Sequence, residues 1–267
     1  HHKVKLLMPM TETHSTLRQS LIPGLLNTVG YNVARKQKDL KLVEIGRVFF
    51  GSGDDNVQPK EILYLGAALT GEERSTKWLR DSRELDFYAA KGYLEVALEY
   101  LGLDQKVTYK KVTVDGMHPG RTAEVYLGEE RIGLIGEVHP LVAEKLGLNR
   151  TYVFEINLDK VISEDKVKPK YEEVTKYPEI TRDIAMLVDL EDEYQNIYNT
   201  IENVNSKLIT NVELFDLYVG LELAAGKKSL ALTITYSDKE KTLTDEEVTA
   251  VHEKVLVALT EYGAIIR

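Results

Sequence analysis

The sequence predicts an α+β protein of two successive units, an antiparallel sheet with helices followed by a smaller βαββαβ domain. Three observations lead there. Several alternating apolar runs in the first 160 residues are joined by two to five residues, too few for the crossover that parallel strands require. A polar, charged stretch from Asp159 to Asp183, twice broken by proline, interrupts the pattern. The last ninety or so residues then run strand, helix, strand, strand, helix, strand. The boundaries drawn on this basis are residues 1–160, a linker at 161–175, and 176–267.

The first unit opens with a helix. Leu25, Leu26, Val29 and Val33 fall at helical spacing, Leu17 and Leu21 extend the stripe towards the N-terminus, and Pro23 suits a first helical turn. Leu40–Phe50 reads as a strand and the Gly-, Asp- and Asn-rich stretch after it as a loop. Alternation of Leu63, Leu65, Ala67 and Leu69 gives the next strand. Phe87, Leu94, Leu98 and Leu101 make one helical stripe that stops near Gly102. Four strands follow, in KVTYKKVTV, AEVYLG, RIGLIGEV and TYVFEINL, with a short helix between Pro140 and Gly147 before the last.

The second unit is more regular. Ile184–Asp189 is a strand, and Tyr194, Ile197, Ile201, Val204 and Leu208 form a helical stripe. Val212–Val219 and Ser229–Tyr236 are strands. Thr244 and Glu247 form a capping box ahead of Val248, Val251, Val255 and Leu259; Gly263 ends that helix, and Ala264–Ile266 is the last strand. This is the ferredoxin-like order, which packs both helices on one sheet face and leaves the other free.

Composition narrows the function classes. With 267 residues and no cysteine, disulfides, thiolate metal sites and thiol nucleophiles are excluded, and a reducing, cytoplasmic setting is expected. No window approaches the roughly 18 apolar residues of a membrane span. His1-His2 reads as a tag remnant or a cut through a longer protein. Residues 171–267 carry nine Lys/Arg against nineteen Asp/Glu, a net of −10, whereas the first 170 hold 25 against 24. So acidic a second unit argues against non-specific binding to nucleic acid, which depends on Lys and Arg.

Alternation sorts the second sheet into two faces. The rows Ile184/Met186/Val188, Phe215/Leu217/Val219 and Leu230/Leu232/Ile234 are expected to meet the helices. The open face then offers Ala185 and Leu187, Asp216 and Tyr218, and Ser229, Ala231 and Thr233. A ring beside small residues makes a slot for a planar ligand. Tyr can stack on a base for roughly 1–3 kcal/mol, and Asp can accept from an exocyclic amino group. Single-stranded RNA is typically read by this combination. Exposed Tyr and Asp on an outer strand are also compatible with a docking module or a small-ligand sensor, because fold alone does not choose.

Catalytic patterns are weak. His118, Arg121 and Glu124 could be drawn as an acid–base cluster, and His14 and Arg18 as neighbours on a helix. The plainer expectation is a tight turn at His118-Pro119-Gly120 with local pairing of Arg121. Neither a phosphate-binding GxxxxGK loop nor a HExxH metal pair occurs.

The segments YPEITRDIAMLVD, ELFDLYVG, GKKSLALTITYSDKEKTLTDEEV and YGAIIR together resemble the ferredoxin-fold anticodon-binding domain that ends the bacterial phenylalanyl-tRNA synthetase β subunit. MPMTETHSTLRQSLIPGLL, NVARKQKDLKLVEIGRVF and MHPGRTAEVYLGEERIGLIGEVHP resemble the catalytic-like module preceding it. The likeness runs through most of the chain in the family's order; the family's tRNA-binding, B3/B4 editing and other N-terminal modules have no counterpart here. The resemblance implies a class II synthetase-like antiparallel sheet without catalytic residues, packed against a catalytic α subunit in an (αβ)2 heterotetramer. It implies that ATP and Mg²⁺ belong to the α subunit, with no cofactor in this part, and that the last domain grips the anticodon stem-loop of tRNA-Phe. Carried residue by residue, the anticodon contacts are Ala185, Asp216, Tyr218 and Ser229, all on the open face. The class II dimer region corresponds to the first helix, which makes Leu17 and Leu21 candidates for the subunit interface.

Overall fold

The computed structural model describes residues 2–54, 56–76, 78, 81–103, 106–164, 171, 175–220 and 222–267. The chain divides into two compact units, His1–Lys170 and Tyr171–Arg267.

The first unit is built on a six-stranded sheet, β1 (Leu40–Phe50), β2 (Lys60–Thr70), β5 (Val107–Lys111), β6 (Met117–Leu127), β7 (Glu130–Val138) and β8 (Thr151–Asn157), in the order β1-β2-β8-β7-β6-β5. Every neighbouring pair is antiparallel, as the short connections require. Alternation splits the apolar residues between two clusters. Ala67, Leu69, Tyr152, Phe154 and Ile156 pack with α2 (Phe87–Tyr100) and with Leu158 and Val161 of α4 (Leu158–Ser163). Ala68, Val153 and Val48 pack with Leu21 and with Leu25, Leu26 and Val29 of α1 (Ile22–Val33). The short helix α3 (Pro140–Lys145) adds Ala143 to the second cluster.

Two elements were not expected. A small hairpin, β3 (Glu72–Thr76) with β4 (Asp81–Glu84), is too polar to alternate visibly. The start of the stretch read as linker is α4: the Asn157 side chain accepts from the Lys160 N–H to cap it, and Asp159 accepts from the Leu63 N–H at 2.9 Å. The rest of the proposed linker, 165–170 and 172–174, lies outside the described residues.

The helical stripe at the N-terminus begins later than its spacing suggests. Leu17 is in an extended segment whose N–H donates to the Val4 carbonyl at 2.9 Å, and the next carbonyl, of Arg18, accepts from Phe49 at 2.8 Å. The helix starts at Ile22 because Glu155, on β8, caps it. Its carboxylate accepts from the Ser20 hydroxyl at 2.9 Å and from the Leu21 N–H. Burial raises the Glu155 pKa above its ordinary value, and the backbone and hydroxyl donors at the helix start pull it partly back.

The second unit has a four-stranded sheet of β9 (Ile180–Asp189), β10 (Ile209–Tyr218), β11 (Lys227–Tyr236) and β12 (Ile265–Ile266), ordered β10-β11-β9-β12. Counted along the unit this is 2-3-1-4, the ferredoxin-like arrangement. One face meets both helices. Ile184, Met186, Val188, Leu230, Leu232 and Ile234 share a core with Ile197 and Ile201 of α5 (Tyr194–Glu202) and with Val248, Val255 and Leu259 of α6 (Asp245–Tyr262). Val204 and Leu208 lie beyond α5 but pack on the same core. The capping box of Thr244 and Glu247 is formed, and Gly263 closes α6 at φ 110°, a left-handed conformation that suits glycine.

Candidate nucleic-acid interface

The helix-free face of the second sheet is ordered in rows by strand pairing. Asp216 of β10 lies opposite Ala231 of β11, which lies opposite Ala185 of β9. In the next row Tyr218 faces Ser229, Ser229 faces Leu187, and Leu187 faces Ile265. On the other side Glu213 faces Thr233, whose hydroxyl donates to Asp183 at 2.7 Å. Ala185, Asp216 and Tyr218 are exposed, and Ser229 is half-buried. The four residues singled out in the sequence therefore occupy adjacent positions on three strands.

The face is reached by a route that alternation alone misses. Val212 and Leu214 pair with Ile234 and Leu232, so they supply the helix-facing side of β10 ahead of Phe215. Uninterrupted alternation would then turn Asp216 and Tyr218 towards the helices as well. The register instead shifts between Leu214 and Asp216, with Phe215 as the extra residue of a β-bulge. The shift returns Asp216 and Tyr218 to the open side. The expected apolar row of Phe215, Leu217 and Val219 is corrected in part: Leu217 does lie on the helix side, opposite Leu230, but Phe215 is the bulge residue and all three are at least half exposed at this end of the edge strand.

The slot is flat and lined by small groups. Ala231 and Ala185 beside Asp216 leave room over the sheet, and the Tyr218 ring stands at one end of it. Arg267, exposed, donates its backbone N–H to the Ala185 carbonyl at 2.9 Å and brings a cation to the β12 edge of the same row. Sequence pattern alone does not reveal Arg267, because its place depends on the pairing of a two-residue strand. Chemically, the face presents a ring for stacking, a carboxylate and a hydroxyl for base edges, and little positive charge.

The candidate acid–base residues of the first unit are not brought together. Arg121 donates to the buried Glu137 at 2.8 Å, and Tyr152 donates to the same carboxylate at 3.1 Å. Burial and the neighbouring Glu137 push the Tyr152 hydroxyl up to about 12. Glu124 is taken by Arg131 at 2.6 Å and by the Tyr126 hydroxyl at 2.9 Å. His118 accepts the Gly120 N–H at 3.0 Å inside β6, at its register shift, so the expected tight turn is irregular strand, and Arg121 pairs across to Glu137 of β7 and not with a local partner. His14 and Arg18 do not share a helix: His14 bonds the Thr11 hydroxyl, and Arg18 bonds Glu44 and the Arg47 carbonyl.

The interface candidates separate. Leu21 is 0% exposed, inside the α1 cluster, with its Cβ packed over Gly66 of β2. A side chain so enclosed has no surface to give a partner, and its assignment to an interface is corrected to core. Leu17 is half-buried and remains at the surface of the extended N-terminal segment.

Comparison with known proteins agrees with both units. The family model described as the phenylalanyl tRNA synthetase beta chain CLM domain matches residues 1–158, and that of the ferredoxin-fold anticodon binding domain matches residues 175–267. Phenylalanine–tRNA ligase beta subunits of Staphylococcus epidermidis and Staphylococcus haemolyticus are each 46% identical over 264 residues, and that of Staphylococcus aureus is 42% identical over the same length. Each alignment covers 99% of this chain and 33% of the relative, so the chain spans about a third of the length of the curated relatives it matches. With family models covering nearly the whole of both units, and the αβ pattern they imply observed in each, the chain belongs to the phenylalanyl-tRNA synthetase β chain family.

Proposed function

We propose that this chain is the non-catalytic C-terminal part of a phenylalanine–tRNA ligase β subunit that reads the anticodon of tRNA-Phe on the open face of its second sheet. The observation that carries the reading is the pair of cross-sheet rows, Asp216–Ala231–Ala185 and Tyr218–Ser229. Tyr218 stacks on one anticodon base, Asp216 accepts from a base amino group, Ser229 bonds a base edge or ribose, and Ala185 with Ala231 provides clearance for the ring plane. An acidic unit suits recognition through bases more than through phosphates.

The first unit serves as a class II-like scaffold that packs against the catalytic α subunit in an (αβ)2 cytoplasmic enzyme. In support, Val43 and Ile45 of β1, the strand at one edge of the sheet, are 64% and 62% exposed. ATP and Mg²⁺ act in the α subunit, and this chain supplies no reacting group. Phenylalanine-dependent exchange of pyrophosphate into ATP by the purified chain alone would overturn that assignment.

The direct test is fluorescence anisotropy of a labelled tRNA-Phe anticodon stem-loop at two salt concentrations, beside an RNA with a changed anticodon. Weaker binding of the changed RNA, weaker binding by Tyr218→Ala and a shallow salt slope are expected. Binding indifferent to both changes would remove base reading from this face. In that case the acidic surface would favour the second reading, a protein-docking module.

A further inference from the structure

Gly220 lies two residues beyond Tyr218 and is the one glycine described between β10 and β11 apart from Gly226. Gly226 adopts φ 79°, which explains it; Gly220 is not among the residues at positive φ, so its backbone would accept a side chain. A side chain there would instead displace a neighbouring ring. A Cβ built on Gly220 would lie 2.5 Å from Cζ and 2.8 Å from Cε1 of Tyr218, and closer still to Oη. The outer end of the ring thus rests across the Gly220 Cα, while Tyr218 as a whole stays 45% exposed.

From this contact we infer that Gly220 is a positioning residue for base stacking, the seat on which the Tyr218 ring is held in the open face. The inference rests on the reading of that face as the anticodon interface. An exposed ring on an edge strand samples several staggered rotamers, and binding must then order it. Ordering one such side chain on association costs roughly 0.5–1.5 kcal/mol. A ring already supported from below, with its opposite face open, has met part of that cost before RNA arrives. Any side chain at position 220 occupies the seat and obliges the ring to change χ1 or lift.

Two measurements on the 267-residue chain test this. The first needs no RNA: nuclear Overhauser contacts between the Tyr218 ring protons and the Gly220 Hα protons, with tyrosine selectively labelled. Their presence in the wild-type chain is expected; their absence overturns the seat. The second is anisotropy with the anticodon stem-loop for Tyr218→Ala, Gly220→Ala and the double variant. Gly220→Ala is expected to weaken binding roughly three- to tenfold, the range set by ordering one side chain, with an unchanged melting temperature. The double variant should bind no more weakly than Tyr218→Ala alone, because the seat has no function without the ring. Wild-type affinity in Gly220→Ala, or losses that multiply in the double variant, would reject the inference while leaving the interface intact. If Tyr218→Ala itself binds like wild type, the interface reading fails first and the seat's role in stacking falls with it.

Discussion

Asp216 sits opposite Ala231 on the open side of the sheet, although Leu214, two residues before it, sits opposite Leu232 on the helix side. Only an extra residue between them permits this, and that residue is Phe215.

Deleting Phe215 should therefore remove the bulge and leave plain alternation, with Asp216 still opposite Ala231 and Tyr218 still opposite Ser229 on the open face. Binding of the anticodon stem-loop is expected to stay well above that of Tyr218→Ala, which loses one stacking contact, roughly ten- to a hundredfold in affinity. Phe215→Ala keeps the residue count and should keep most of the affinity. Titrating both variants by anisotropy checks the pair, and a loss in the deletion variant as large as that of Tyr218→Ala would argue that the strand pairing alone does not hold the site.

Leu21→Ala should destabilise the first unit by about 2–5 kcal/mol, since it removes a fully enclosed side chain and leaves a cavity over Gly66. Urea unfolding followed by circular dichroism would show the shift. A stable Leu21→Ala variant that failed only to bind the α subunit would return Leu21 to the interface.

His252 makes the second unit sensitive to acid. It is partly buried with Nδ1 3.0 Å from the Tyr236 hydroxyl, and burial, with the Arg182 charge, lowers its pKa from 6.5. The folded state resists a proton that the unfolded chain accepts, so stability is lost as pH falls through 6.5 and below. His252→Gln should show a smaller fall in melting temperature between pH 7.5 and pH 5.5 than the wild type. An identical fall would mean that other groups govern the acid limb.

Thr244→Ala removes half of the capping box on α6, where the Thr244 hydroxyl accepts from the Glu247 N–H and Glu247 accepts from the Thr244 N–H. A loss of about 1 kcal/mol is expected, read by thermal unfolding, with RNA affinity at low temperature unchanged because α6 lies on the other side of the sheet.

The elements that residue periodicity announces were visible in the sequence. The two long strands β1 and β2, helix α2 and the whole βαββαβ order are there, because burial of one face forces a period on the chain. The misses have local causes. Leu17 and Leu21 continue a helical stripe in sequence, yet Glu155, 134 residues away from Leu21, fixes where the helix starts. The bulge at Phe215 is invisible to a pattern search, because Phe215, Leu217 and Val219 alternate as a buried row would. Asp216 and Tyr218 were assigned to the open face on an alternation that omitted Val212 and Leu214, and the side came out the same because the bulge supplies the missing step. The contact of Tyr218 with Gly220 follows the same logic: a glycine reads as loop until a ring is seen lying on it.

The row of Glu213, Thr233 and Asp183 beside the Tyr218 slot sets how the face behaves among competitors. Every RNA offers a phosphate backbone. If the face reads RNA as proposed, two carboxylates bordering the slot, within a unit of net charge −10, would repel that common feature and favour an RNA whose bases fit. Discrimination would then lie in how seldom a wrong RNA arrives, leaving the surface vacant for its partner.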